Sequence, residues 1–452
     1  PPSSAQTHRL LWGLNFQDGP CGASIYIVSG CRSGCRKNYL CEVSKRSIHK
    51  MSDYDNFDRT DLIERIKQLE AHVKQLQNII KKSSETPRGI KSSEKFDPSN
   101  YEFQHVLLKV VYLGWDYQGF AVQEDVDNTI EKHLFEALLK TCLIKSRETS
   151  NYHRCGRTDK GVSAFGQVIS ITLRGAKKDA KDNSSLDYCQ MLNRVLPDQI
   201  RILGWTKVEE SFSARFDCIQ RTYKYFITKG NLNMKMMEEA AQYLVGTHDF
   251  RNICKMDIAN NVTNYTRSIS SVSFEKCLSY SSIESSGFDV YEVTIVGRAF
   301  LWHQVRCIMT LLLLVGFGKE DPSIVKALLN TNDTPCKPQY SLAADFPLCL
   351  FDCQYEGLTW AYSKEIIVNV IQHLGSIWTQ LTIKSAMVFK MMTSLSALSE
   401  PLDTVSLGKS LIPQENFKNY KSLLKRPYCS SLEERLERVS RKRKYDSSKV
   451  LQ

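Results

Sequence analysis

The chain has 452 residues, 42% of them hydrophobic and 24% charged, with a formal net charge of +11. That balance is an ordinary soluble one. It excludes a membrane-spanning helix, because the longest apolar run, 308–315, falls far short of the roughly 20 residues such a helix needs. The positive charge suits a polyanionic partner, although five of the charges come from the first fifty residues.

Residues 1–50 hold no methionine and match neither a coil nor a core, so they are expected to be a non-native or disordered extension ahead of Met51. Within 51–82, Leu62, Ile66, Leu69, Val73, Leu76 and Ile80 alternate steps of four and three. That is an a/d stripe of nearly three heptads, and it predicts a coiled-coil-like helix, self-associating or docked on its own domain. Residues 83–100, rich in Ser, Lys and Pro, form a linker. The globular part starts near Tyr101, with a strand over 105–113 and a loop over 114–120. Asn128 and Glu131 have the spacing of a capping box, opening a helix that carries Ile130, Leu134 and Leu138 on one face. An apolar strand over 167–173 precedes a polar loop over 174–187. Further strands are predicted over 221–228 and 288–298, and helices over 234–245 and 303–315. Strands and helices interleave without a Gly-rich phosphate loop or a regular βαβ period, which predicts an α+β fold. The predicted domains are 101–210, 211–360 and a helical C-terminal region, 361–452, with a basic tail. In that tail Ser431 and Glu434 form a second capping box, and Arg441 to Lys444 can contact phosphate, serve as a nuclear import signal, or simply be a solvated helix end.

The fifteen cysteines are scattered and odd in number, which points to a reducing compartment. Cys21, Cys31, Cys35 and Cys41 cluster, but only the middle pair has zinc-like spacing. No metal and no cofactor are expected.

Chemistry concentrates at Tyr152-His153-Arg154-Cys155-Gly156-Arg157-Thr158-Asp159-Lys160-Gly161-Val162. A carboxylate held among cations is expected to stay ionised, fit to act as nucleophile or base. The glycines let the backbone turn tightly and approach a ligand. A second constellation joins Phe212-Ser213-Ala214-Arg215-Phe216 to Arg221-Thr222-Tyr223-Lys224-Tyr225. An aromatic face there can replace the stacking that a flipped base has lost, although alternating Tyr223, Tyr225 and Ile227 also fit one buried strand face.

These blocks resemble the TruA-type tRNA pseudouridine synthases. Gly156-Arg157-Thr158-Asp159-Lys160-Gly161-Val162 is similar to the family's G-R-T-D-x-G-V motif, and the 212–225 segment to its F-x-A-R-F…R-x-Y-x-Y pattern. Phe300-Leu301-Trp302-His303-Gln304-Val305-Arg306 is similar to F-L-x-H-M-V-R, with Gln304 in place of Met. The 343–350 segment resembles a pocket wall, with Pro347 in place of Gly. The 151–155 and 114–120 stretches look most like the eukaryotic branch that modifies positions 38 and 39.

The resemblance implies a fold of two related α+β subdomains sharing a curved antiparallel sheet. It implies Asp159 as the catalytic residue, oriented by Arg157 and Arg267, with Tyr223 stacking the base and Leu348 as apolar wall. RNA contacts are expected from Arg154, Lys160, Arg215, Arg221, Lys224, His303 and Arg306, the last two also as pocket supports. The implied reaction converts uridine to pseudouridine in the anticodon arm of tRNA. The alternatives are the same chemistry at other tRNA positions or on mRNA, and a non-catalytic RNA-binding or tRNA-folding protein on the same fold. The implied partner is tRNA, with no membrane, a homodimer as a further expectation, and a location in nucleus and cytoplasm.

Overall fold

In this computed structural model the described residues are 63, 70 and 100–450, less 124–125, 179–185, 259–261, 279–286, 397 and 399–403. The expected N-terminal extension and, apart from Ile63 and Glu70, the heptad stripe lie outside them. Two runs of secondary structure build the core. The first comprises β1 (Tyr101–Tyr112), α1 (Ile130–Lys140), β2 (His153–Arg154), β3 (Ser163–Lys177), α2 (Tyr188–Asn193) and β4 (Ile200–Lys207). The second comprises β5 (Gln220–Thr228), α3 (Met234–Gln242), β6 (Gly246–Asp249), β7 (Thr266–Leu278), β8 (Val290–Gly297), α4 (Gln304–Gly316), α5 (Ser323–Leu329) and β9 (Leu348–Gln354). β10 (Ala361–Tyr362), the long α6 (Lys364–Ser396) and α7 (Leu432–Val450) follow.

The strands form one sheet in the order β10-β4-β1-β3-β9-β5-β8-β7-β6, with β2 beside β3. Side-chain period dictates which strands sit inside. β5 alternates cleanly, burying Arg221, Tyr223, Tyr225 and Ile227 and leaving the residues between them half-exposed. β3 is instead buried on both faces from Val168 to Ile171, as a central strand must be.

The two runs meet where β3 pairs with β9 through Ser163↔Cys349 and Ala164↔Leu350. This pairing is parallel, whereas every other neighbour along the sheet is antiparallel. The sheet is therefore mixed, which corrects the expectation of an all-antiparallel one. A hairpin would force opposite directions, but β3 and β9 are joined by a long crossover that leaves direction free.

Two local expectations change as well. α1 is capped by Thr129, whose Oγ1 accepts the Lys132 N–H, and not by Asn128. Glu131 is buried beneath the helix and not part of a capping box. β3 runs on to Lys177, so the first residues of the expected polar loop are strand. At the C-terminal end, the Glu434 N–H donates to Ser431 Oγ, the cap expected there.

α4 is buried at every position except Arg306, so it lacks a solvent face, and it is mostly apolar, with Gln304 and Thr310 as its other polar residues. That isolated cation at the start of a buried helix is the fold's strongest pointer to a site.

Candidate active site

The run around Asp159 is a loop between β2 and β3, clamped by the segment that follows β1. The Phe120 N–H donates to Thr158 O (3.1 Å), the Gly161 N–H to Tyr117 O (3.1 Å), and the Gly114 N–H to Ser163 Oγ (3.0 Å). The Tyr112 hydroxyl meets Thr158 Oγ1 at 2.8 Å in the interior. Below the loop, Gln167 Nε2 donates to Gly156 O at 2.9 Å. Gly114 has to be glycine, because a Cβ there would stand 1.9 Å from Val162 O. Both ends of the loop are thus fixed by backbone hydrogen bonds, which holds the residue between them in place.

Asp159 points from this loop to the N-terminal end of α4. Its Oδ2 lies 3.4 Å from His303 Nε2 and 3.8 Å from Arg306 Nη1. Arg306 is held in turn by Ala343 O, which accepts its Nε–H at 2.8 Å, and by Asp345, 3.7 Å from its Nη2. The helix N-terminus adds its own partial positive charge. Burial raises the Asp159 pKa above the usual carboxylate value; Arg306, the Trp302 indole N–H and Lys255 pull it down only in part, and Asp345 adds to the rise. The expectation of a carboxyl held low by flanking cations is thereby reversed, because desolvation outweighs them. A carboxylate so placed is more basic than a surface Asp.

His303 has a left-handed backbone, φ 59°, a conformation costly for a side chain with a Cβ. Burial, then Arg306, Lys255 and Lys337, push its pKa down to about 3. It is therefore neutral, its contact with Asp159 is not an ion pair, and it is a poor proton acceptor. Its Nδ1 is buried without a hydrogen-bond partner among the described residues.

The remaining predicted residues divide. Tyr223 is buried on β5, edge-on to Phe300 at 5.0 Å, and burial raises its phenol pKa far enough to keep it neutral. Its hydroxyl lies 4.0 Å from where a Cβ on Gly156 would stand, so it reaches the Asp159 loop. Leu348 is buried at the start of β9, opposite Tyr225, with its N–H on Asp345 O.

Arg157 and Arg267 do not brace Asp159. Arg157 is exposed, and among charged neighbours it faces chiefly Arg154 and Arg215. Two residues along a turn send side chains in different directions, so closeness in sequence misleads here. Arg267 donates to Asn264 O and Thr266 O beside its own strand. The cation within ion-pair distance of Asp159 is Arg306.

Among the expected RNA contacts, Lys160 and Arg215 are exposed, and Arg215 lies over the 74%-exposed Phe216. Arg154 is bound to Glu131, and Lys224 to Glu292 at 2.6 Å. Arg221 is buried and donates to three backbone carbonyls, so it is not presented to RNA. Sequence reasoning missed Lys255, which stacks 3.9 Å over the Trp302 ring beside Asp159. It also missed the exposed Trp115, whose indole N–H donates to Phe346 O.

A sequence model described as tRNA pseudouridine synthase matches residues 240–356, the stretch holding Lys255, His303, Arg306, Asp345 and Leu348. The chain is 42% identical over 432 residues to the tRNA pseudouridine(38/39) synthase of Bos taurus, covering 86% of this chain and 89% of that protein. The chain belongs to the tRNA pseudouridine synthase family. Other relatives in the family include the tRNA pseudouridine(38/39) synthase of Homo sapiens, 42% identical over 431 residues, with 86% of this chain and 89% of that protein covered. The Saccharomyces cerevisiae tRNA pseudouridine(38/39) synthase is 40% identical over 334 residues, covering 69% of this chain and 74% of its own length.

Proposed function

We propose that this chain isomerises uridine to pseudouridine at positions 38 and 39 of the tRNA anticodon arm, with Asp159 as the catalytic carboxylate. The observation that carries the reading is a mostly enclosed aspartate, 23% exposed, set where the two runs of the sheet join and faced by Arg306, His303 and Trp302. The reaction breaks the uridine N1–C1′ bond, turns the base, and joins C5 to C1′; nothing is gained or lost overall. Asp159 can attack C1′ or remove a sugar proton to give a glycal, and its raised pKa serves either role. Arg306 keeps the carboxylate ionised and aimed. Tyr223, held neutral, offers a ring to the base, and Leu348 closes the wall behind Asp345. The exposed Arg215, Phe216 and Lys160 supply charge and a stacking face for the RNA strand.

Pseudouridine mapping of tRNA from cells that lack this protein tests the substrate. Loss at 38 and 39 supports the reading, and loss confined to other tRNA positions or to mRNA favours the alternative substrates. We further propose a homodimer, because α6 leaves Ile371, Trp378, Leu381, Val388 and Leu395 exposed at helical spacing. Light scattering of the full chain checks this; a monomeric mass at micromolar concentration rejects it.

A further inference from the structure

Cys155, Cys218 and Cys353 are all buried, and their Sγ atoms lie within 4.8 Å of one another. They come from three separate parts of the chain. Cys155 follows β2 and stands four residues ahead of Asp159, Cys218 lies just before β5, and Cys353 is near the end of β9. The cluster therefore ties the catalytic loop of the first run to two segments of the second. Cys189, buried in α2, has no such company within the cluster.

A second observation makes this more than cysteine packing. The buried Arg221 guanidinium donates to Cys155 O (3.1 Å), Arg215 O (2.9 Å) and Arg298 O. No carboxylate of the described residues lies within ion-pair distance of it. A buried cation satisfied only by neutral carbonyls is costly. The groups beside it able to carry negative charge are the three thiols and the Tyr223 phenol. Tyr355, whose hydroxyl donates to Ala214 O at 2.7 Å, places a further oxygen next to Cys155.

We propose that Cys155, Cys218 and Cys353 are the thiolate ligands of a structural zinc ion, with the Tyr355 hydroxyl oxygen as fourth donor. Zn–S bonds of about 2.3 Å set tetrahedral sulfurs roughly 3.8 Å apart, so the present cluster needs to contract by no more than about 1 Å. Binding expels three thiol protons and moves no electrons. The three thiolates and the dication leave one net negative charge, which Arg221 balances. A disulfide between two of the three would require an oxidant that nothing in the site supplies. The zinc touches neither Asp159 nor the substrate; it fixes the start of the loop that carries Asp159. This departs from the sequence expectation of no metal and does not depend on the proposed reaction.

Zinc in the untagged full chain, purified without chelators, is measured by plasma mass spectrometry. We expect about one zinc per chain, at least a tenfold lower content in Cys218→Ala and Cys353→Ala, and unchanged content in Cys189→Ala. Should the cluster variants fail to fold, the wild-type protein still decides. Cobalt replacement must give a thiolate-to-cobalt charge-transfer band, and titrating thiols with a mercurial must release the metal. Wild-type protein that stays metal-free after exposure to zinc overturns the proposal. So does a cobalt form without the thiolate band, or a native disulfide among these cysteines in non-reducing peptide maps.

Discussion

Replacing Glu131 with alanine should cost about as much stability as truncating one of the buried hydrophobic residues beside it, such as Leu134. The carboxylate is 1% exposed and accepts from Val122 N (2.9 Å), Arg147 Nη2 (2.9 Å), Tyr152 Oη (2.8 Å) and Arg154 Nη1. Breaking a buried charge network by removing one member costs about 3–5 kcal/mol, because its partners stay behind unpaired. Here Arg147 and Arg154 are 38% and 21% exposed, so water recovers part of their solvation. The expected loss is therefore about 3 kcal/mol, at the lower end of that range. Glu131→Gln keeps the volume but turns an amide N–H2 toward donors, and should cost about 2 kcal/mol. Urea unfolding followed by circular dichroism and tryptophan fluorescence together measures both.

The pH dependence carries its own sign. Burial opposes the Glu131 charge, but the Val122 N–H, Arg154, Tyr152 and Arg147 outweigh it and hold the pKa below the usual 4.5. A depressed carboxyl pKa contributes stability that is complete above the unfolded value and is lost as pH falls through the folded one. The difference between wild type and Glu131→Ala must therefore shrink below that range. A loss under about 0.5 kcal/mol at neutral pH, the size of an ordinary surface change, would refute the buried-hub reasoning.

Two further outcomes follow from the site. The Asp159 pKa is raised, so the ionised form is lost as pH falls through a value above the usual 3.8. The acid limb of the single-turnover rate should sit above that value, and Arg306→Gln should move it higher still; coincident limbs in the two proteins contradict the electrostatic role of Arg306. Gly161 has φ +76°, and a Cβ there would stand 2.9 Å from Asp345 Oδ1. Gly161→Ala should lower kcat with tRNA binding retained, while Gly318→Ala, with φ +64° and open space around it, should change stability but not kcat. Equal kcat losses in both would mean that backbone strain alone, and not the contact with Asp345, is at work.

The sequence made the chemistry of 152–164 legible because its residues lie side by side and the glycines and the acid act locally. Alternating burial on β5 and the apolar length of α4 were legible for the same reason, since period alone decides which face is covered. What escaped was the pairing of distant segments. Arg306 and His303 share one end of α4, but nothing in their spacing shows that Asp159, on the far side of the sheet's parallel joint, would face them. Arg157 looked like the natural partner through mere adjacency and points elsewhere. Glu131 passed for a cap because a buried carboxylate and a capping Glu can stand in the same first turn. Arg221 passed for an RNA contact because a sequence does not show which basic side chains are satisfied inside. The parallel β3–β9 pairing depends on a crossover longer than any local pattern.

The most direct measurement compares wild type and Asp159→Asn on an unmodified tRNA transcript, with pseudouridine located by mass spectrometry and binding followed separately. The wild type should form pseudouridine in the anticodon arm, and the variant should bind the same tRNA with similar affinity and form none. Pseudouridine formed by the Asp159→Asn variant at the wild-type rate would contradict the catalytic assignment.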